Sequence, residues 1–268
     1  MNSYNTINYL NLLAACINIV LFTLDSNEDY GPDYDFFNRF NLRDLSRRYI
    51  NGAMTPAEPF FVIFNIVSLF LSVFAMIQFL PAYRSLSMVQ DGVGYWYFIG
   101  TVAQIFAFTF SVDNIEVSFV TSLLSTIFFS ITCASTWKIL HNQHHNATSD
   151  NSPEEYWLIR FPFQLQSGWN IALTTMSVNI LFRGDINGGF SAVMNSILII
   201  ASLIVYAAIS GKLLFFSGNV TPNYVIPSVI ALVTVSRFAK YKHILYTHHL
   251  SLMIILSFCC LFYYLLQQ

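Results

Sequence analysis

The chain has 268 residues, of which 55% are hydrophobic and only 10% charged, with a formal net charge of -2. A water-soluble domain carries about a quarter charged residues, so this composition excludes one, and the absence of any basic patch excludes a nucleic-acid partner. Long apolar runs set apart by short polar stretches define an all-α fold, a polytopic transmembrane helix bundle. The chain therefore reads as an integral, multi-pass membrane protein, in a mitochondrial, plastid or endomembrane bilayer that the residues do not specify.

At roughly 20 apolar residues per crossing, about eight spans are predicted, near 6–24, 57–80, 94–112, 116–139, 162–183, 191–215, 223–238 and 244–266. No Lys or Arg precedes the first run, so it reads as a retained span rather than a secretory signal. Its Asn8, Asn11 and Asn18 fall on one helical face, which belongs inside a bundle and not against lipid. The loop 25–55 carries six acids and four arginines, Arg39, Arg43, Arg47 and Arg48, and "LRDLSRRYI" within it suits a short interfacial helix. Glu58, at the start of the second span, sits where the helix dipole favours a carboxylate. Spans three and four meet in a tight hairpin near Asp113 and Glu116, and 140–161 reads as a second polar loop. Pro227 makes the seventh span the weakest, short enough to be re-entrant. Lys and Arg on the loops after spans one, three, five and seven outnumber those on the opposite side, which places the first group inside and both termini on the other face.

"HNQHH", from His141 to His145, has the spacing of a metal box, and a second cluster holds His243, His248 and His249. Three spans separate the two clusters, so they should emerge on opposite faces. Six histidines are also too few for a di-iron membrane oxidase with its three boxes, so the clusters read as wet helix ends rather than a metal site. G-x-S-x-G, a P-loop and G-x-G-x-x-G are all absent, and nothing ionisable lies clearly mid-span, so no enzyme is expected. The four cysteines, at 16, 133, 259 and 260, read as buried small hydrophobes.

The fifth span, "PFQLQSGWNIALTTMSVNIL", is unusually polar. Gln166, Asn170, Thr174 and Ser177 make a single stripe, and each amide in hydrocarbon costs free energy unless it is paired. Two compatible readings follow: hydrogen bonds to the asparagines of span one, or a polar-lined cavity for an amphipathic ligand.

Three stretches, "TPAEPFFVIFNIVSLFLSVFAMIQFLP" from Thr55, "VGYWYFIGTVAQIFAFTF" from Val93 and "PFQLQSGWNIALTTMSVNI" from Pro162, together resemble the TspO/MBR-like tryptophan-rich sensory proteins in their longer form. Thr55, Pro56, Ala57, Phe61 and Ile63 match the opening of that family's second helix, Ala103 and Gln104 its third, and Pro162, Phe163, Gly168, Trp169 and Asn179 its fifth. Phe64 stands where the family has a tryptophan, and no tryptophan follows Gln104. The resemblance implies a TspO-like five-helix unit over 1–183, with 184–268 as a C-terminal extension of about three helices. It also implies a pocket for a flat apolar molecule, a tetrapyrrole, sterol or lipid.

From these residues we expect helices one, two, three and five to enclose a ligand site lined by Asn11, Phe64, Gln104, Trp169 and Asn170. The expected function is binding, sensing or carrying a hydrophobic small molecule, with membrane lipids around it and no metal. The competing reading is a non-catalytic accessory subunit of a large membrane complex of the organellar respiratory or photosynthetic type; the expected protein partners are subunits of such a complex or a second copy in a homodimer.

Overall fold

The computed structural model describes residues 5–26, 62–111, 119–145, 153–182, 192–215 and 224–240. Seven long helices lie among them: α1 (Thr6–Ser26), α2 (Val62–Ile77), α3 (Trp96–Ser111), α4 (Phe119–His145), α5 (Phe161–Leu181), α6 (Ala192–Phe215) and α7 (Val225–Lys240). They coincide with the first seven predicted spans. The eighth span, the acid-rich loop with its "LRDLSRRYI", the Thr55–Phe61 motif with Glu58, the Asp113/Glu116 hairpin and the second histidine cluster lie outside the described residues. Among the described residues three stretches are long and apolar enough to cross a bilayer, Met88–Phe110, Phe119–His144 and Ser196–Leu214, and the protein is an integral membrane protein.

Five helices close a ring. α1 packs on α2, α2 on α5, α5 on α4, α4 on α3, and α3 back on α1. Where helices share a lipid solvent, association rests on close packing and hydrogen bonds rather than on the hydrophobic effect, and both appear at these seams. Thr132 Oγ1 donates to the Gly100 carbonyl at 3.3 Å and Ser125 Oγ to the Ala107 carbonyl at 3.0 Å, tying α4 to α3. Thr174 Oγ1 donates to the Phe129 carbonyl at 3.1 Å, tying α5 to α4.

α7 lies outside the ring, against α5. It docks at Gly168, where a Cβ would stand 2.8 Å from Val229 Cβ. Pro227 falls in the first turn of α7, where no intrahelical donor is lost, so the helix runs through it unbroken. α6 packs on α7 and is tied to α5 by Asn179 Nδ2, which donates to Ser202 Oγ at 3.1 Å.

Two connections carry π-helical segments. The described parts of 140–161, read as a polar loop, are helical: α4 continues to His145, the wet helix end expected of that cluster, and a turn at Pro153–Glu155 and a π-helical segment at Tyr156–Arg160 lead directly into α5. At 27 residues, α4 is roughly 40 Å long and outruns a hydrocarbon core of about 30 Å, so its last turns stand clear with His141 and His144 exposed. Between α2 and α3 a second π-helical segment, Met88–Val93, buries Met88, Val89, Gly92 and Val93. It ends at Gly94, whose φ of 51° and ψ of -139° suit only glycine. Cys16 is exposed, against the expectation that it is buried, while Cys133 is half-buried and packs against the cluster of Ile171, Tyr206, Ile226 and Ile230.

Helix ends and loops gather at one end of the ring. There Tyr83 Oη donates to Glu154 Oε2 at 3.1 Å, and slight desolvation and that bond push the Tyr83 phenol above its ordinary value. Gln143 Nε2 donates to the Ile159 carbonyl at 3.3 Å. Trp96, Trp137 and Trp157 are all exposed towards this same end, with Tyr9 and Tyr95, the placement of an interfacial aromatic belt. Lipids with a quencher near the headgroup should therefore quench these three tryptophans more than lipids with the quencher near the chain end. A variant keeping only Trp169 should respond weakly to both. Equal deep quenching of all four would contradict this placement of the bilayer.

Candidate functional site in the five-helix ring

The interior of the ring is ordered in layers along its axis. At one end, amides form a chain that runs from the exposed Asn5 to the buried Asn8, Asn11 and Gln78. Asn5 Nδ2 donates to Gln90 Oε1 at 2.9 Å, and Gln90 Nε2 to Asn8 Oδ1 at 3.2 Å. Asn11 Nδ2 donates to Gln78 Oε1 at 3.2 Å, while Gln78 Nε2 donates to the Asn8 and Ala75 carbonyls at 3.3 and 3.1 Å. The stripe of asparagines on α1 thus pairs with α2 and the α2–α3 connection. Further along, Asn18 Nδ2 donates to Tyr97 Oη at 3.1 Å and Thr101 Oγ1 at 3.3 Å on α3. The expected pairing of these asparagines with α5 is not what the described residues show. The polar groups of α5 turn to α4 and α6 instead: Asn170 Nδ2 donates to Thr136 Oγ1 at 3.5 Å, and Asn179 reaches Ser202.

Below the amide chain lies a first aromatic layer. Phe74 of α2, Tyr97 of α3 and Phe163 of α5 meet edge to face, with centroids 5.0 Å (Phe74–Phe163), 5.5 Å (Tyr97–Phe163) and 6.3 Å (Phe74–Tyr97) apart. Such geometry aligns the positive ring edge with the negative face, and here it spans the ring from three walls. A second aromatic layer closes the far end, where Phe108 of α3 stands 6.4 Å from Phe64 of α2 and 5.3 Å from Phe129 of α4, both edge to face.

The five expected site residues are all buried: Asn11, Phe64, Gln104, Trp169 and Asn170. They do not form one shell. Asn11 belongs to the amide chain through Gln78, and Phe64 to the far aromatic layer. Fourteen residues separate Phe64 from Gln78 on α2, roughly 21 Å of helix rise. Gln104, Trp169 and Asn170 share the middle depth. Gln104 is seven residues beyond Tyr97 on α3, and Asn170 seven beyond Phe163 on α5, so each lies about 10 Å below the first aromatic layer. Successive helix positions turn by about 100°, so Gln104 shares the inward face of Tyr97 and Phe108, and Gln166 and Asn170 share that of Phe163.

Buried polar atoms without a hydrogen-bond partner occur at several depths, Asn11 Oδ1 and Gln143 Oε1 among them, and they include amide oxygens inside the ring. Among the described residues no donor reaches Gln104 Oε1, Gln166 Oε1 or Asn170 Oδ1. A buried acceptor without a donor costs about 1–3 kcal/mol, and native structures keep few such atoms without a functional reason. α4 also joins the wall, through Phe129, Thr132 and Thr136, all buried. The sequence reading left α4 out, since its serines and threonines look like ordinary helix-packing residues. Conversely Asn179, part of the family motif on α5, points out of the ring to α6.

This ring and its buried polar layer belong to a recognised family. The TSPO-like protein family model matches residues 8–263, nearly the whole chain and through α6 and α7 as well as the ring, and the chain belongs to that family. No curated protein and no solved structure matches it.

Proposed function

We propose that the protein binds a hydrophobic small molecule inside the five-helix ring, between its two aromatic layers, and works as a membrane sensor or carrier of that molecule rather than as an enzyme. The observation that carries this reading is the set of buried amide oxygens at Gln104, Gln166 and Asn170 that no donor among the described residues reaches, on helices whose aromatic residues lie above and below them. A flat molecule seated there gains roughly 25 cal/mol for each Å² of apolar area it buries, and the amides orient its polar edge. Trp169, 1% exposed and part of the main buried cluster, supplies the widest apolar surface at that depth. Membership of the TSPO-like family supports the same reading. A tetrapyrrole and a sterol are the two probes to titrate, against wild type and Trp169→Ala. The expected result is binding of at least one probe by wild type, weakened about tenfold or more in the variant while its helical content is retained, as the loss of a large apolar contact predicts. Equal binding by both proteins, or by neither, would contradict it.

A further inference from the structure

We infer that the outer face of α6 is a docking surface for residues 244–266 of the same chain. α6 carries two faces. On one, Leu198, Ser202 and Tyr206 are buried, and Tyr206 packs with Ile171 of α5 and with Ile226 and Ile230 of α7. On the other stand Val193, Ile197, Ile200, Ile204, Ala207 and Gly211, in steps of four, three, four, three and four residues. That alternation keeps one line along a helix and is the spacing by which two helices interlock their side chains. The line is bare among the described residues: Ile197 is 52% and Ile204 63% exposed, and nothing lies within 4 Å of a Cβ built at Gly211. Only 17% of Ser196–Leu214 is buried, against 39% of Phe119–His144 and 50% of Met88–Phe110.

The chain that follows supplies the occupant. α7 ends at Lys240, and residues 244–266 are apolar and about as long as a bilayer crossing. Only residues 241–243 join the two, a reach of at most about 14 Å, so the segment starts beside α7. On α7 itself the exposed strip is narrow, Ser228, Leu232 and Val235, whereas α6, which packs on α7, has a whole face open. α6 and α7 are successive crossings, so residue 244 emerges at the end where α6 begins, and the two run parallel. Leu245, His249, Leu252, Leu256, Cys259 and Tyr263 repeat the same steps of four, three, four, three and four, and the family match continues to residue 263. Setting Leu245 level with Val193 brings Leu256 to Ile204 and Tyr263 to Gly211, a large side chain over a small one. Lipid alone requires no such spacing.

Disulfide trapping in the full chain tests this, in a lipid bilayer and with the four native cysteines replaced by alanine. Ile204→Cys is paired in turn with a cysteine at each position from 250 to 262. A disulfide needs Cβ atoms about 4 Å apart, so only a docked helix forms one efficiently. The expected result is a cross-link within one chain at 256 and again at every third or fourth position, lost at the positions between. Leu69→Cys, 64% exposed on α2, should give none with the same partners. Cross-links between two chains instead of within one would overturn the inference in favour of a second copy. No cross-link above the Leu69→Cys level would overturn it in favour of lipid. If the cysteine-free chain fails to fold, Ala207→Cys in the otherwise unaltered chain decides alone. Its disulfide to Cys259, located by peptide mass spectrometry, is the expected result, and its absence contradicts the docking.

Discussion

Gly168→Ala is expected to destabilise the docking of α7 on α5 by about 1–3 kcal/mol, the range for overpacking a tight contact. The added Cβ would stand 2.8 Å from Val229 Cβ, 3.1 Å from Val229 Cγ1 and 3.3 Å from the Ile226 carbonyl oxygen. Neither neighbour can yield cheaply. Valine in a helix has essentially one rotamer, and the carbonyl is backbone, so the whole of α7 must back away. Gly168→Leu should separate the helices outright. Gly211→Ala on α6 is the matched control, because nothing lies within 4 Å of its added Cβ. There the gain in helix propensity, at most about 1 kcal/mol, should leave stability equal or slightly raised. Denaturant titration in detergent, with a disulfide trap between cysteines placed on α5 and α7, reads both effects. Equal stability of the two alanine variants would contradict the placement of α7.

Phe163→Ala should cost about 3 kcal/mol, the lower end of the range for emptying a buried aromatic site. The lower end applies because the unfolded reference for a span is also apolar, so the loss is packing rather than transfer from water. Phe163 is fully buried and makes two of the three contacts in the first aromatic layer, at 5.0 Å from Phe74 and 5.5 Å from Tyr97. Its removal leaves Phe74 and Tyr97 facing a void between the amide chain and the middle layer. Phe182→Ala, on a residue 58% exposed at the end of α5, should change stability by less than about 0.5 kcal/mol. A small and equal effect at both positions would mean that the ring is not closed by aromatic contacts.

Much of this architecture was legible in the residues, and the division follows from what one-dimensional patterns can carry. The spans were legible because length and hydropathy are local properties. The inward faces of α1 and α5 were legible because an asparagine or glutamine stripe at helical spacing has nowhere else to go in a bilayer. The partners of those amides were not, because pairing depends on the order of helices in the ring. Asn18 meets Tyr97 and Thr101 only because α1 neighbours α3. The aromatic layers were hidden for a similar reason: 26 phenylalanines gave no sign that Phe163 and Phe108 would reach across the ring while Phe106 faced outwards. The continuation of α4 through His145 was legible as a wet helix end, whereas the π-helical entry to α5 was read as loop because its residues are polar. Both segments extend beyond the hydrocarbon, where polarity no longer opposes a helix. Gly168 stood out as part of the resembled fifth-helix motif, and the close approach of Val229 supplies the packing partner that the sequence could not name.

The most direct test of a ligand-binding ring is native mass spectrometry of the full chain, purified in mild detergent from its own membrane. The account predicts a chain carrying one hydrophobic small molecule, retained when bulk lipid is stripped and lost in Asn170→Phe, where a ring fills the middle layer. A chain that carries nothing, or that appears only as a subunit of a larger assembly with no small molecule bound, would contradict it.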